Sequence, residues 1–208
     1  MTALLIKLFI KNPADTANPR VRTSYGFLGG TVGIVCNLLL FAAKLIIGLI
    51  SGSISIVADA VNNLSDVGAS GVTLFGFKIS SKPADAEHPF GHGRMEYIST
   101  LLVAMIIMAL GGQLVYSSVL KIIHPETPEF SYLSLAILAG ALLLKVWLSV
   151  FCKKLSRIID SQVLFAAGAD ALNDVYTTGA TMLSIIAVKL LPFSIDGYIG
   201  LLVALFVL

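Results

Sequence analysis

Residues 58–66 of the chain read ADAVNNLSD and interrupt a stretch that is otherwise apolar enough for lipid. A second polar stretch, ADALND, occupies residues 169–174. An aspartate near the centre of a bilayer costs about 2.5–3.5 kcal/mol on insertion scales, so the four aspartates of these stretches cost roughly 10–14 kcal/mol together. Such groups either bind ions or form hydrogen bonds between helices, and ionisable residues at this depth favour a functional site. We therefore expect the two stretches to form an ion site.

Composition indicates an integral membrane protein. Of the 208 residues, 57% are hydrophobic and 12% are charged, which is more apolar surface than a soluble domain needs. The net charge is only +2 and no basic cluster is present, so we expect no nucleic-acid partner. Cys36 and Cys152 lie in separate predicted spans outside any CxxC pattern, and we interpret both as small core residues. The expected environment is the lipid bilayer of the cell membrane.

Hydropathy predicts an all-α bundle of six transmembrane helices in residues 25–208. Residues 1–24 form an N-terminal segment, whose first part is interpreted as an interfacial amphipathic helix and whose residues 12–23 are interpreted as a polar tether. The predicted spans are about 25–50, 54–79, 96–120, 132–152, 161–191 and 196–208. The last span is expected to be cut short, because about 20 residues are needed to cross the hydrocarbon core.

The distribution of Lys and Arg predicts the orientation. Ten of these residues lie before span one or in the loops after spans two and four, and two lie on the opposite side. Because positive loops stay in the cytoplasm, the N-terminus is predicted to be cytoplasmic, and six spans return the C-terminus to the same side. Lys44, near the far end of span one, is expected to snorkel to the interface.

Helix geometry predicts which side chains form the ion site. Residues four apart lie about 40° apart around a helix and about 6 Å apart along it. Asn62 and Asp66 therefore share a face of span two, and Asp170 and Asp174 share a face of span five. These faces offer four oxygen ligands, and a divalent cation would neutralise two of their three negative charges. Asp59 is a possible relay residue, or alternatively a hydrogen-bonding residue near the start of its helix.

A site of this kind would not stay fully anionic without metal. Carboxylates held close together in a low dielectric favour the uptake of protons. We expect the metal-free site to hold one or two protons, shared by the cluster as coupled titrations. An arriving metal ion must displace these protons, which predicts proton–metal antiport.

Three stretches together resemble the cation diffusion facilitator family. They are SGSISIVADAVNNLSDVGAS at residues 51–70, KPADAEHPFGHGRMEYIS at residues 82–99 and ADALNDVYTTGA at residues 169–180. The likeness covers nearly all of residues 25–208, and PADxxHPFGHGRxE is a specific pattern at its position between spans two and three. It implies a divalent-metal/proton antiporter, usually a homodimer, which exports metal from the cytoplasm. On this resemblance, we expect residues 1–208 to lack the family's usual cytoplasmic C-terminal domain.

The resemblance implies that the transport site consists of Asn62, Asp66, Asp170 and Asp174. Many family members have His or Asp at the first position of each pair, whereas this chain has Asn62 and Asp170. Oxygen ligands suit Mn²⁺, while Zn²⁺ favours imidazole and thiolate. We therefore expect Mn²⁺ to be the transported ion, with Fe²⁺ or Zn²⁺ next. The metal is cargo, and no cofactor is expected.

The loop of residues 78–94 contains a possible second metal site at Asp85, His88 and His92. In some members of the family, the positions that match Asp85 and His92 bind a second metal, which implies a capture site for cytoplasmic ions. The alternative is structural: residues 89–91 shape the entry into span three, and the histidines form local hydrogen bonds.

Other functions explain these patterns less well. A monovalent-cation or proton-coupled antiporter would use the carboxylates as proton sites and would not need Asn62. An intramembrane aspartyl protease needs a Gly-x-Gly-Asp context, which residues 168–170 match only in part. A magnetosome-like or scaffold role without transport would not require an intact four-residue site. We therefore predict a transporter rather than an enzyme.

Overall fold

The computed structural model describes residues 2–16, 18–51, 54–85, 88–124, 132–187 and 196–207, and in these ranges all regular structure is helical. The all-α fold class is therefore confirmed. The helices are α1 (Thr2–Phe9), α2 (Pro19–Ser51), α3 (Ile54–Ser80), α4 (Met95–Ile123), α5 (Tyr132–Ile159), α6 (Gln162–Ala187) and α7 (Asp196–Val207).

The chain is a multi-pass membrane protein. Three of the described helical segments are long and apolar enough to cross a membrane, namely Pro19–Ile47, Met95–Ile123 and Leu135–Ile159. Helices α3 and α6 carry the two polar stretches and are not among these three. With 27 and 26 residues, both are nevertheless longer than the roughly 20 residues that a bilayer crossing requires.

The prediction of a polar tether at residues 12–23 is wrong for the second half of this segment, because α2 begins at Pro19. The Oδ1 atom of Asn18 accepts a hydrogen bond of 3.0 Å from the backbone N–H of Arg20, which is a helix N-cap. Pro19 suits the first helical position because its missing N–H would have no partner within the helix. The N-cap thus starts the first long helix six residues earlier than hydropathy predicts.

The predicted end of the fourth span at residue 152 is also wrong, because α5 continues to Ile159. Basic residues near the C-terminal end of a helix interact favourably with its dipole, so they do not end it. The turn to α6 instead occurs at Asp160, whose φ is 48°. The Ser156 hydroxyl donates a 2.8 Å hydrogen bond to the Ser161 carbonyl oxygen across this turn. Of the predicted fifth span, residues 188–191 lie outside the described ranges.

The chain divides into two compact units. Unit 1 contains Met1–Ala104 and Leu148–Ala169, and unit 2 contains Met105–Trp147 and Asp170–Leu208. Unit 1 therefore holds α1 to α3 with parts of α4 to α6, and unit 2 holds the rest of those three helices with α7.

Within unit 1, glycines let α2 and α3 approach closely. A Cβ atom on Gly26 would lie 2.2 Å from the Cγ atom of Phe77, and one on Gly33 would lie 2.7 Å from the Oγ atom of Ser70. Both distances are shorter than any real Cβ contact, so only glycine fits without movement of the neighbour. Because residue numbers rise along α2 while those of the contacted residues on α3 fall, the two helices are antiparallel.

Arg22 connects three helices at one end of unit 1. Its Nη2 atom lies 2.8 Å and 3.1 Å from the two carboxylate oxygens of Glu96, at the start of α4. Its Nη1 atom donates to the backbone carbonyl oxygen of Ile159, at the end of α5. Glu96 is the last residue of the PADxxHPFGHGRxE pattern, so part of that pattern has a structural role.

Candidate metal sites

The first predicted ligand pair lies on α3 in unit 1. Asn62 is half-buried, and Asp66, one helical turn further on, is 2% exposed. An ionised carboxylate buried to this degree requires hydrogen bonds or a nearby cation to offset the loss of water. The four-residue spacing thus places an amide and a buried carboxylate on one face of this helix.

The second predicted pair lies on α6 in unit 2. Asp170 and Asp174 are both half-buried. The Oδ2 atom of Asp174 accepts a hydrogen bond from the Nζ atom of Lys145, so the two side chains form an ion pair. Lys145 is only 4% exposed although it lies near the middle of α5. A predicted metal ligand therefore contacts a buried cation supplied by the protein.

Lys145 is a site residue that the sequence analysis did not select. The available signal was its position in an apolar stretch, since an ionisable side chain at membrane depth requires a partner. Lys44 was also misjudged. It is 3% exposed within unit 1, so the prediction that it snorkels to the interface is wrong.

Asn37 on α2 is a second polar residue that the sequence analysis did not select. It is 3% exposed, and its Oδ1 atom has no hydrogen-bond partner within the described ranges. The antiparallel register of α2 and α3, set by the approaches of Gly26 and Gly33, continues to Asn37 at the level of Asp66. The α2–α3 interface thus carries a buried amide near the position of a predicted ligand.

The four predicted ligands are divided between the two compact units. Asn62 and Asp66 belong to unit 1, and Asp170 and Asp174 belong to unit 2. Each pair is described within its own unit, so the combined four-residue site remains a prediction. Asp59 belongs to α3, but its side chain lies outside the described residues, and its relay role also remains a prediction.

The loop before α4 brings Asp85, His88 and His92 together. Their candidate ligand atoms all lie within 4.8 Å of one another. The Nδ1 atom of His88 is 3.4 Å from Oδ1 of Asp85, and the Nε2 atom of His92 is 3.7 Å from Oδ2 of the same carboxylate. Two imidazoles and one carboxylate are a ligand set typical of transition metals. The geometry agrees with the second-site prediction, while metal binding itself remains a prediction.

Local hydrogen bonds hold this loop in shape, as the structural alternative requires. The backbone N–H of His88 donates a 2.7 Å hydrogen bond to Oδ1 of Asp85. The N–H of Gly91 donates a 2.9 Å bond to the carbonyl oxygen of His88, and Gly91 has a φ of 76°, which favours glycine. The Nδ1 atom of His92 is 3.3 Å from the carbonyl oxygen of Pro83. Because a carbonyl oxygen can only accept a hydrogen bond, the Nδ1 atom of His92 must carry the proton in this contact. The lone pair of its Nε2 atom is then available to a metal.

The electrostatics of the loop keep its carboxylate available as a ligand. The hydrogen bond from the His88 backbone, with a smaller contribution from the charges of His92 and His88, holds the pKa of Asp85 below its ordinary value of 3.8. Asp85 is therefore ionised at neutral pH and does not have to lose a proton when a metal binds.

Comparison with known proteins identifies the family. Residues 30–208 match the family model of the cation efflux transmembrane domain. The chain belongs to the cation diffusion facilitator family. The resemblance inferred from the three sequence stretches is thus confirmed, and because the cation efflux family consists of transporters, the protease alternative is rejected.

Several curated relatives of the chain have names that state a function. The chain is 37% identical over 166 residues to the manganese efflux system protein MneS of Bacillus subtilis, which covers 79% of the chain and 57% of the relative. It is 36% identical over 149 residues to the magnetosome protein MamB of Magnetospirillum gryphiswaldense, and the match covers 69% of the chain and 48% of MamB. It is 29% identical over 156 residues to the manganese efflux system protein MneP of Bacillus subtilis, and the match covers 74% of the chain and 52% of MneP. The chain therefore spans about half the length of these relatives.

Proposed function

We propose that the protein containing this chain exports a divalent transition-metal cation from the cytoplasm in exchange for protons, with Mn²⁺ as the preferred ion. The observation that carries this proposal is the buried carboxylate of Asp66, which follows Asn62 by one turn of α3 in a member of the cation efflux family. A buried carboxylate on a membrane helix is costly, and binding of cationic cargo offsets this cost.

The proposed transport site combines Asn62 and Asp66 with Asp170 and Asp174. Carboxylate and amide oxygens are hard ligands that suit Mn²⁺. Two of the relatives are named manganese efflux system proteins, which supports the same ion. Because Mn²⁺ is the weakest binder of the divalent series, selectivity over Fe²⁺ and Zn²⁺ would depend on coordination geometry and on metal availability.

In the proposed cycle, metal enters from the cytoplasm near the loop of Asp85, His88 and His92. The loop offers two imidazoles, which suit several transition metals, so it would capture ions without selecting Mn²⁺. The ion then passes to the oxygen ligands and displaces protons from them. Alternating access delivers it to the other side, and protons taken up there reset the site.

The proposed arrangement in the membrane follows from charge and family. The excess of Lys and Arg before span one and after spans two and four favours cytoplasmic N- and C-termini. Family membership supports assembly as a homodimer. The six-span count also belongs to this proposal, since three described helical segments meet the length and hydropathy requirements by themselves.

The test is transport by the full-length protein in proteoliposomes that carry a pH gradient, with Mn²⁺, Fe²⁺, Zn²⁺, Co²⁺ and Cd²⁺ compared side by side. We expect Mn²⁺ uptake that depends on the gradient and is faster than Zn²⁺ uptake. Asp66→Ala and Asp174→Ala should abolish uptake, while Asp160→Asn, which changes an exposed aspartate in a turn, should not. Transport at the wild-type rate by either alanine variant would disprove the assigned site.

The monovalent-cation or proton-coupled antiporter remains the second candidate, because carboxylates on two helices also serve proton-only exchange. The two functions differ in whether divalent ions bind. Stabilisation of the purified protein against heat by Mn²⁺, but not by Na⁺ or K⁺ at equal ionic strength, favours metal export. Proton-coupled exchange of monovalent ions without any divalent effect would favour the second candidate.

A further inference from the structure

We propose that Lys145 is a built-in counter-ion of the transport site, which neutralises Asp174 while no metal is bound and is displaced when a divalent cation arrives. The inference rests on the proposed function, because it assumes that Asp174 is a metal ligand. It adds a residue outside the four predicted ligands and assigns to it control of metal affinity and release.

The contact between these two side chains is internal to one compact unit. Lys145 on α5 and Asp174 on α6 both belong to unit 2. The Nζ atom of Lys145 donates to Oδ2 of Asp174, and the two side chains are 5% and 17% exposed. A buried ammonium and a buried carboxylate each lose hydration, and their mutual attraction offsets part of that loss. The pair is therefore a stable resting arrangement for a site without metal.

The same contact opposes metal binding. An ammonium and a divalent cation attract the same carboxylate oxygen and repel each other, and this repulsion is strong where water is largely excluded. Lysine carries its charge on a flexible four-carbon stem, so the ammonium can leave Asp174 without movement of the α5 backbone. A displaced ammonium that stays nearby keeps metal affinity low and favours release of the ion.

A purely structural ion pair would behave differently. Its loss would destabilise the fold and would leave metal affinity unchanged or reduced, because the carboxylate would lose the partner that orients it. A counter-ion in competition with the metal has the opposite effect on affinity. The sign of the change in metal affinity therefore distinguishes the two roles.

The experiment is calorimetric titration of the purified full-length protein with Mn²⁺ at fixed pH and ionic strength. Lys145→Met removes the charge and keeps a chain of similar length, whereas Lys145→Arg keeps the charge. The matched control is Lys44→Met, which changes a lysine that is also buried, 3% exposed, but lies on α2 in unit 1. Lys145→Gln is prepared as a second neutral variant in case the methionine variant does not fold.

We expect Lys145→Met to bind Mn²⁺ at least about tenfold more tightly than wild type, since removal of one nearby positive charge strengthens the attraction of the site for a divalent ion. Lys145→Arg and Lys44→Met should bind like wild type. In proteoliposomes, Lys145→Met should lower both KM and kcat for Mn²⁺, because tighter binding slows release. A structural role would not produce this combined decrease.

Two negative outcomes separate the inference from the function on which it rests. If wild type binds Mn²⁺ and the folded neutral variants bind it equally or more weakly, the counter-ion role is overturned and the transport site stands. If wild type binds none of Mn²⁺, Fe²⁺ and Zn²⁺, the proposed function is overturned and the inference with it.

Discussion

Arg22 and Glu96 form an ion pair in which a single guanidinium nitrogen lies 2.8 Å and 3.1 Å from the two carboxylate oxygens. The side chain of Glu96 is 12% exposed and that of Arg22 is 36% exposed, so the pair is only partly screened by water. Because Arg22 also donates to the carbonyl oxygen of Ile159, one side chain connects the beginnings of α2 and α4 with the end of α5.

The first prediction concerns this connection. Glu96→Gln keeps the shape of the side chain and removes its charge, and we expect it to lower the free energy of unfolding by about 1–2 kcal/mol, since Arg22 loses a charged partner while solvent remains nearby. The measurement is thermal unfolding of the purified full-length protein without added metal. Arg94→Gln, at an exposed residue two positions earlier, is the matched control and should unfold like wild type. Wild-type stability of Glu96→Gln combined with a loss of transport would contradict the structural role.

The second prediction concerns ion selectivity. Asn62→His places an imidazole at the first position of the α3 pair and should raise the rate of Zn²⁺ transport relative to Mn²⁺, because imidazole favours zinc. The measurement is the ratio of the two rates in proteoliposomes. Asn173→His, which alters a half-buried asparagine on α6 outside the predicted pairs, serves as the control. An unchanged ratio in Asn62→His would remove Asn62 from the selectivity argument.

The third prediction concerns the loop site and pH. A carboxylate whose pKa is lowered by folding stabilises the folded state at pH values above its ordinary pKa. This contribution is lost only as the pH falls through the lower pKa of the folded state. Because the pKa of Asp85 lies below 3.8, Asp85 stays ionised under mildly acidic conditions. Metal binding to the loop should therefore lose nothing through protonation of Asp85 as the pH falls from neutral to mildly acidic values, because this carboxylate keeps its charge.

Variants of the loop can test this assignment by equilibrium metal binding at several pH values. Asp85→Asn should weaken binding at both neutral and mildly acidic pH, because it removes a ligand that is ionised throughout this range. His92→Gln should also weaken binding, because it removes an imidazole ligand. His124→Gln, at an exposed histidine in unit 2, is the control and should leave binding unchanged. Weaker binding by Asp85→Asn at neutral pH, but binding equal to that of wild type at mildly acidic pH, would show that Asp85 is protonated in this range.

The fourth prediction concerns the close packing of α2 and α3. Gly26→Ala forces the buried ring of Phe77 to move, and we expect a loss of about 1–3 kcal/mol in stability, as for other overpacked cores. Gly71→Ala adds the same methyl group to α3, where the structure shows no packing neighbour within 4 Å, and should be neutral or slightly stabilising. Thermal unfolding of both variants gives the comparison. Equal stability of the two variants would show that the Gly26 contact relaxes freely.

The parts of the candidate site that depend on local geometry could be predicted from the sequence. The four-residue spacing of Asn62 and Asp66 determines that both lie on one face of α3, since this follows from helical periodicity alone. The grouping of Asp85 with His88 and His92 followed from their closeness in the chain, and the structure brings their ligand atoms together. Helix boundaries were less accessible, because Asn18 as an N-cap and the basic end of α5 are compatible with both loop and helix.

The sequence by itself determined the all-α class, the two polar stretches and the family, because these depend on composition, periodicity and neighbouring residues. The tertiary structure decided that Lys145 contacts Asp174, that Arg22 contacts Glu96, and that Asn37 is buried at the level of Asp66. Residues 29 or more positions apart form these relationships. They arise from the way helices pack, and the register of packed helices is a property of their joint surfaces that no single helix contains.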